Sequence, residues 1–276
     1  MNNIKTTVLL GLLTGLVLFF GYQMGGEQGL LLGLFISFAM NFGSYWFSDK
    51  IVLSMYKAKQ TSKEENPKIF QMVEDLAIKV GIPMPKVFII DLPVPNAFAT
   101  GRNKNHASMA LSKSIITLLT DDELKAVIAH ELGHIKHNDI LTSSIAAMLA
   151  GVISYLSRIA YFTGSRNDEN RGGGIIFLVI TPIIATLLHL AVSRSREFAA
   201  DILSAETTNE PETLISALQK ISSATAMRPI VPTPQNEATA HMFIFNPFKK
   251  SLLSTLFSTH PTLEARIEQL RKMKNK

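Results

Sequence analysis

Apolar residues in this chain arrive in blocks, and the blocks are long. Four windows free of charged residues reach the length a helix needs to cross a bilayer: about 21 residues from Thr6 to Gly26, about 21 from Gln28 to Ser48, about 18 from Ile140 to Ser157, and about 22 from Gly172 to Ser193. A soluble core of 276 residues has no use for so many such windows, so four transmembrane helices in two hairpins are expected. The first window also has the shape of a signal peptide, with Lys5 before an apolar run. No small-x-small cleavage site follows it, and a second span begins almost at once, so it is read as retained. The third is the least apolar, and Arg158 at its end must snorkel or pair, so a buried soluble helix is the alternative there.

Charge placement orients the hairpins. The turn "GGEQG" has no Lys or Arg, whereas Lys50, Lys57, Lys59, Lys63 and Lys68 follow the second window and Arg194 and Arg196 follow the fourth. The N-terminus and both polar segments are therefore expected on the cytoplasmic side. Residues 1–48 and 140–193 become membrane hairpins, and 49–139 and 194–276 become two parts of one soluble domain. The net charge of +5 collects at membrane edges, where orientation and lipid account for it; no nucleic-acid partner is implied. The chain has no cysteine, which excludes disulfides, thiolate ligands and cysteine nucleophiles.

The soluble segments read as helices around a small sheet. "NPKIFQMVEDLAIKVG" has Asn66 as cap, Pro67 in the first turn, an apolar face and Gly81 as stop. "KVFII" and "HASMALS" read as short strands around the turn-rich "NAFATGRNKN". Thr120 and Glu123 form a capping box that starts a helix through "DDELKAVIAHELGHIKH". Later helices are expected from about Pro211 to Ala224 and from Pro261, the latter capped by Thr259 or His260, with a proline-rich loop between them.

Within that capped helix, His130 and His134 are four residues apart, so their rings point the same way one turn apart and can meet one ion. Glu131 follows the first histidine and can reach a water on that ion without being a ligand, the position of a general base. Zinc lowers the pKa of such a water to about 7, and peptide hydrolysis is the reaction implied. Gly133 is small where a neighbouring backbone or a substrate can approach. A catalytic zinc needs a third protein ligand. The metzincin positions hold His137 and Ile140, so that subclass is excluded. "REFAAD" places Glu197 and Asp201 four apart on one helix face, so one can bind the metal while the other orients a histidine N–H; Glu197 is assigned to the metal. His137, three residues after His134, reads as an exposed or hydrogen-bonded residue rather than a ligand, His106 and His241 carry no signal, and His189, inside the fourth window, reads as a packed neutral ring. The Met and Phe of "HMFIFNPF" read as core rather than as a substrate-facing lip.

"NAFATG", "HELGH", "REFAAD" and "THPTLEARIEQL", in that order and split by a membrane hairpin, resemble the HtpX-type heat-shock membrane metalloproteases, bacterial relatives of the CAAX prenyl proteases. The resemblance spans essentially the whole chain. It implies a mainly α membrane protein whose α+β catalytic domain has a gluzincin fold with a small sheet. One Zn2+ per chain would be held by His130, His134 and Glu197, with Glu131 as base. The implied setting is the bacterial inner membrane, and the implied activity is cytoplasmic cleavage of damaged or misfolded membrane proteins. It further implies that Asn96 and Ala97 bind substrate along a strand edge, that His260 donates to the oxyanion and that Asp201 orients one of the ligand histidines, which of the two being left open. Two rivals remain: a CAAX-type processing protease, and a non-enzymatic scaffold or transporter with a bound metal. The oligomeric state is not legible.

Overall fold

The computed structural model describes residues 2–149, 194–231, 239–248 and 261–274. Helix α1 (Asn2–Met55) is a hairpin rather than one rod, because Gly25 and Gly26 leave helical geometry and fold it back. Its limbs touch backbone to backbone where Gly21 meets Gly29: a Cβ on Gly29 would lie 2.0 Å from the Gly21 carbonyl oxygen. Small residues at a crossing let apolar helices approach without a hydrophobic driving force. Asn41 also donates across the hairpin to Thr14. Both limbs are long and apolar enough to cross a membrane, Thr6–Gln23 within the first and Gly25–Met55 as the second. The start of the predicted third span is an apolar helix, α5 (Ile140–Leu149), lying along the first limb through Leu13, Ile145 and Leu149. The rest of that span, the whole fourth span, Arg158 and His189 lie outside the described residues.

A four-stranded sheet follows in the order β1 (Lys59–Gln60), β2 (Lys86–Ile90), β4 (Ala107–Ser112), β3 (Ala97–Gly101). The β2 and β4 strands run parallel; β1 and β3 flank them antiparallel. The expectation of a turn over "NAFATG" is corrected here. Ala97 to Gly101 pair with β4 as an edge strand, and the turn starts only after Gly101. That residue has φ 142°, and a Cβ would meet the His106 carbonyl at 2.2 Å, so a side chain is excluded.

Helices α2 (Pro67–Val80), α4 (Asp121–Lys136), α6 (Arg194–Thr208), α7 (Pro211–Met227) and α8 (Leu263–Lys274), with the short α3 (Lys113–Leu118), pack with the sheet. One core joins Val73 and Leu76 of α2, Ile128, Leu132 and Ile135 of α4, Leu203 of α6, Leu218 and Ile221 of α7, and Leu270 of α8. Burying each such side chain contributes about 1.5–3 kcal/mol. The capping box at Thr120 and Glu123 is present, and the same Glu123 carboxylate accepts from Ser216 and Lys220 of α7. Asn66 stands at the start of α2, but its amide donates to Thr61 instead of capping. The last helix is capped by Thr262, whose hydroxyl accepts from the Ala265 N–H, two to three residues later than expected.

Candidate metal centre

Helix α4 presents His130 and His134 on one face, and α6 meets that face with the stripe Glu197, Ala200, Asp201 and Ser204. The two helices approach closely at Gly133, where a Cβ would lie 3.1 Å from the Ala200 Cα. Ser204 pins the crossing by donating to the Ala126 carbonyl. Glycine at 133 is therefore needed for a neighbouring backbone, one of the two uses open from sequence.

The histidine Nε2 atoms lie 3.2 Å apart. Glu197 sets one carboxylate oxygen 3.8 Å from His130 Nε2 and the other 3.5 Å from His134 Nε2. The three groups can converge on one ion. Two nitrogens held about 2.0–2.1 Å from a tetrahedral zinc stand roughly 3.3–3.4 Å apart, so the spacing fits.

The far sides of the rings decide which nitrogens are bare. His130 Nδ1 contacts Asp201 at 2.9 Å, and His134 Nδ1 contacts Asp139 at 3.3 Å. Each carboxylate accepts a hydrogen bond from the Nδ1–H of its ring, which leaves the two Nε2 atoms facing each other and Glu197 as the ligand atoms. Two bare lone pairs 3.2 Å apart would repel, so the pair needs a cation between them, a proton on His134 or a metal ion in its place. Asp201 is thus the partner of His130. Asp139 reaches His134 because α4 ends just after it: Asn138 takes a left-handed φ of 57° and turns the chain back, so the Asp139 N–H donates to the His134 carbonyl.

Two arginines complete the arrangement. Arg266 of α8 is 1% exposed and grips both oxygens of the fully buried Asp201 through Nε and Nη2. Arg196 lies 3.3 Å from Asp139. Burial pushes the Asp201 carboxyl up, but Arg266 and His130 outweigh it and hold the group below the ordinary carboxylate range. Burial lowers the His134 imidazole, and its bond to Asp139 with the charges of Glu197 and Glu131 reverses this, raising it to about 9. Glu131 is buried, which raises its carboxyl; the two histidines oppose the shift and Glu197 adds to it.

The cleft in front of the histidines is lined by Glu131, by Ala97 to Ala99 of β3, and by His241 to Ile244. Ala97 therefore faces the site, whereas the Asn96 side chain does not. Asn96 is fully buried, donates to the Met242 carbonyl and accepts from the Ile244 N–H, so it holds the loop that walls the cleft. Met242, Phe243 and Ile244 are buried and line the cleft as well, joining the two uses that had stood as alternatives. His137 is exposed. His260 lies outside the described residues.

Sequence reading missed Asp139, Arg196 and Arg266. Arg266 carried a signal: it is three residues after Leu263 and four before Leu270, a charge on an apolar stripe, which needs a buried partner.

Fold and donor set define a class: metal-dependent hydrolases built on an H-E-x-x-H helix with glutamate as third donor. Residues 63–274 match the model for peptidase family M48, and the chain belongs to that family; it is a metalloprotease, a hydrolase of peptide bonds. It is 45% identical over 282 residues to a protein named Protease HtpX homolog from Syntrophobacter fumaroxidans, covering 99% of each chain. A protein of the same name from Pyrococcus furiosus is 47% identical over 277 residues, 98% of this chain and 95% of that one. The crystal structure of S. mikatae Ste24p is similar in fold, with TM-score 0.53 and 21% identity; the match covers 97% of this chain and spans 65% of the length of that one.

Proposed function

We propose that this chain is an integral-membrane, zinc-dependent endopeptidase that cuts damaged or misfolded membrane polypeptides at the cytoplasmic membrane surface. His130, His134 and Glu197 hold the ion, one per chain, and Asp201 and Asp139 fix the ring tautomers. Zinc held there supplies Lewis acidity, which lowers the pKa of a water bound to it to about 7. Glu131 accepts the proton of the attacking water and passes it to the leaving amine; burial raises its carboxyl, which brings it nearer the proton affinity that this exchange requires. His260 is assigned to the oxyanion by family resemblance alone.

The observation that carries the reading is a strand edge beside the donor set. The Ser112 N–H donates to the Asn96 carbonyl, so the even-numbered residues of β3 face β4 and Ala97, Ala99 and Gly101 face outward. Gly101 N–H is taken by Ser144. Among the described residues nothing pairs with the outward N–H and C=O groups of Ala97 and Ala99, which lie at the base of the cleft. An extended substrate adding to this edge would be read by its backbone, with little demand on side-chain identity. That suits clearance of misfolded chains. The membrane setting draws support from the apolar hairpin and from the contact of its end with the same strand, where the Tyr56 ring stands 5.2 Å from Phe98.

The test is Glu131→Gln in the full chain. Metal content is expected to stay at one zinc per chain while cleavage of a membrane-protein substrate is lost; undiminished cleavage refutes the assigned base.

A further inference from the structure

The tip of the β3–β4 connection reaches the second limb of α1. The Arg102 guanidinium lies over the Trp46 ring, 4.1 Å from its centre. Trp46 belongs to an aromatic cluster: Tyr45 is 5.5 Å and Phe42 6.0 Å away, ring centre to ring centre. Phe42, Tyr45, Trp46 and Phe47 are all exposed. The cluster falls where the limb's uncharged run gives way to Asp49 and Lys50, and Lys50 stands over Phe47 at 5.4 Å. Aromatic side chains concentrate where a membrane helix meets the headgroups.

A cation–π contact of this kind uses none of the guanidinium N–H groups as donors to an oxygen acceptor. No described residue accepts a hydrogen bond from Arg102 or forms an ion pair with it, although the group is only half-exposed. Beside it, Lys104 is exposed, and no Asp or Glu occurs anywhere between Leu92 and Thr120. The one carboxylate near the cluster in sequence is Asp49. A flat, preorganised donor edge and two lysines, on an aromatic shelf at headgroup depth, match an acceptor with fixed negative charge and several oxygens.

We propose that Arg102, Lys104 and Lys50 form a binding surface for the headgroup of an anionic phospholipid, with Trp46 as its floor. The proposal rests on the membrane placement argued above. Its consequence is mechanical: residue 102 directly follows β3, so headgroup binding holds the substrate-pairing edge at a fixed depth and favours membranes of negative surface charge.

Trp46 is the only tryptophan of the chain, so its fluorescence reports this surface alone. The full chain is placed in nanodiscs of one composition, equal parts phosphatidylcholine and phosphatidylglycerol, with bromine near the headgroup end of the acyl chains of either one lipid or the other. Brominated phosphatidylglycerol is expected to quench Trp46 several-fold more than brominated phosphatidylcholine. Each cation at the surface contributes a factor of about five to the local preference, so Arg102→Gln with Lys104→Gln is expected to cut the preference several-fold and leave the share of Lys50, and 1 M salt to narrow the gap further. Equal quenching in the parent chain overturns the headgroup site while leaving the membrane placement intact. Absence of quenching by either lipid overturns the membrane placement and this proposal together. An unchanged preference in the double variant overturns the assignment to these residues.

Discussion

Arg266 is the residue on which the centre leans most while touching no substrate. Its guanidinium holds both oxygens of Asp201, and Asp201 in turn holds His130. Arg266→Met keeps most of the aliphatic volume, so the loss isolates the charge. Asp201, with no exposure to solvent, would keep a single described partner. Breaking a buried pair by deleting one member costs about 3–5 kcal/mol, because the remaining charge is left in a poorly solvated place. Chemical unfolding of the full chain in detergent should register that loss. Metal affinity should fall as well, about 10- to 100-fold, the usual effect of disturbing a group that orients a ligand histidine. A chromophoric chelator competing for zinc measures it.

A second variant separates the two effects. Arg266→Met combined with Asp201→Asn removes the uncompensated charge and should recover most of the lost stability, since replacing both members of a buried pair is often close to neutral. Zinc affinity should stay low, because an amide polarises the His130 ring less than a carboxylate does. If Arg266→Met matches the parent in both unfolding and zinc affinity, the guanidinium does not support the site and the reasoning fails.

Two further outcomes follow from the same geometry. In the metal-free chain His134 holds a proton up to about pH 9, which the ion must displace. Zinc affinity should therefore rise by as much as tenfold per pH unit between pH 6.5 and 8.5, and chelator competition across that range would refute the assignment if affinity were flat. Gly133→Ala puts a methyl 3.1 Å from a backbone atom of α6, so the helices must part by a few tenths of an ångström. Weaker zinc binding with helix content retained in circular dichroism is expected, and unchanged affinity would show that the crossing tolerates the shift.

What could be read from sequence was what is local. The α4 helix, its capping box and the facing rings of His130 and His134 follow from spacings within a single helix, and all are present. Glu197 and Asp201 were legible for the same reason, since four residues on α6 fix a common face. The partner of each ring was not legible. Asp139 owes its position to one left-handed asparagine, and Arg266 arrives from a helix 65 residues beyond Asp201. The "NAFATG" strand was read as a turn because Gly101 and the asparagines beside it are strong breakers, whereas the pairing that makes it a strand comes from β4.

The missed residues change what the centre is. Each imidazole has its own carboxylate, and each carboxylate its own guanidinium: His130 with Asp201 and Arg266, His134 with Asp139 and Arg196. Counting Glu197 and Glu131 as well, four carboxylates stand against two guanidinium groups, which leaves two negative charges when both rings are neutral. That is the complement of a divalent cation. It also explains why His134 is raised to about 9: without an ion, the excess negative charge recruits a proton to the ring best placed to carry it. Replacing either arginine by a neutral residue would shift this balance toward protonated carboxylates and rings, so protons would compete harder with the ion for the same donors.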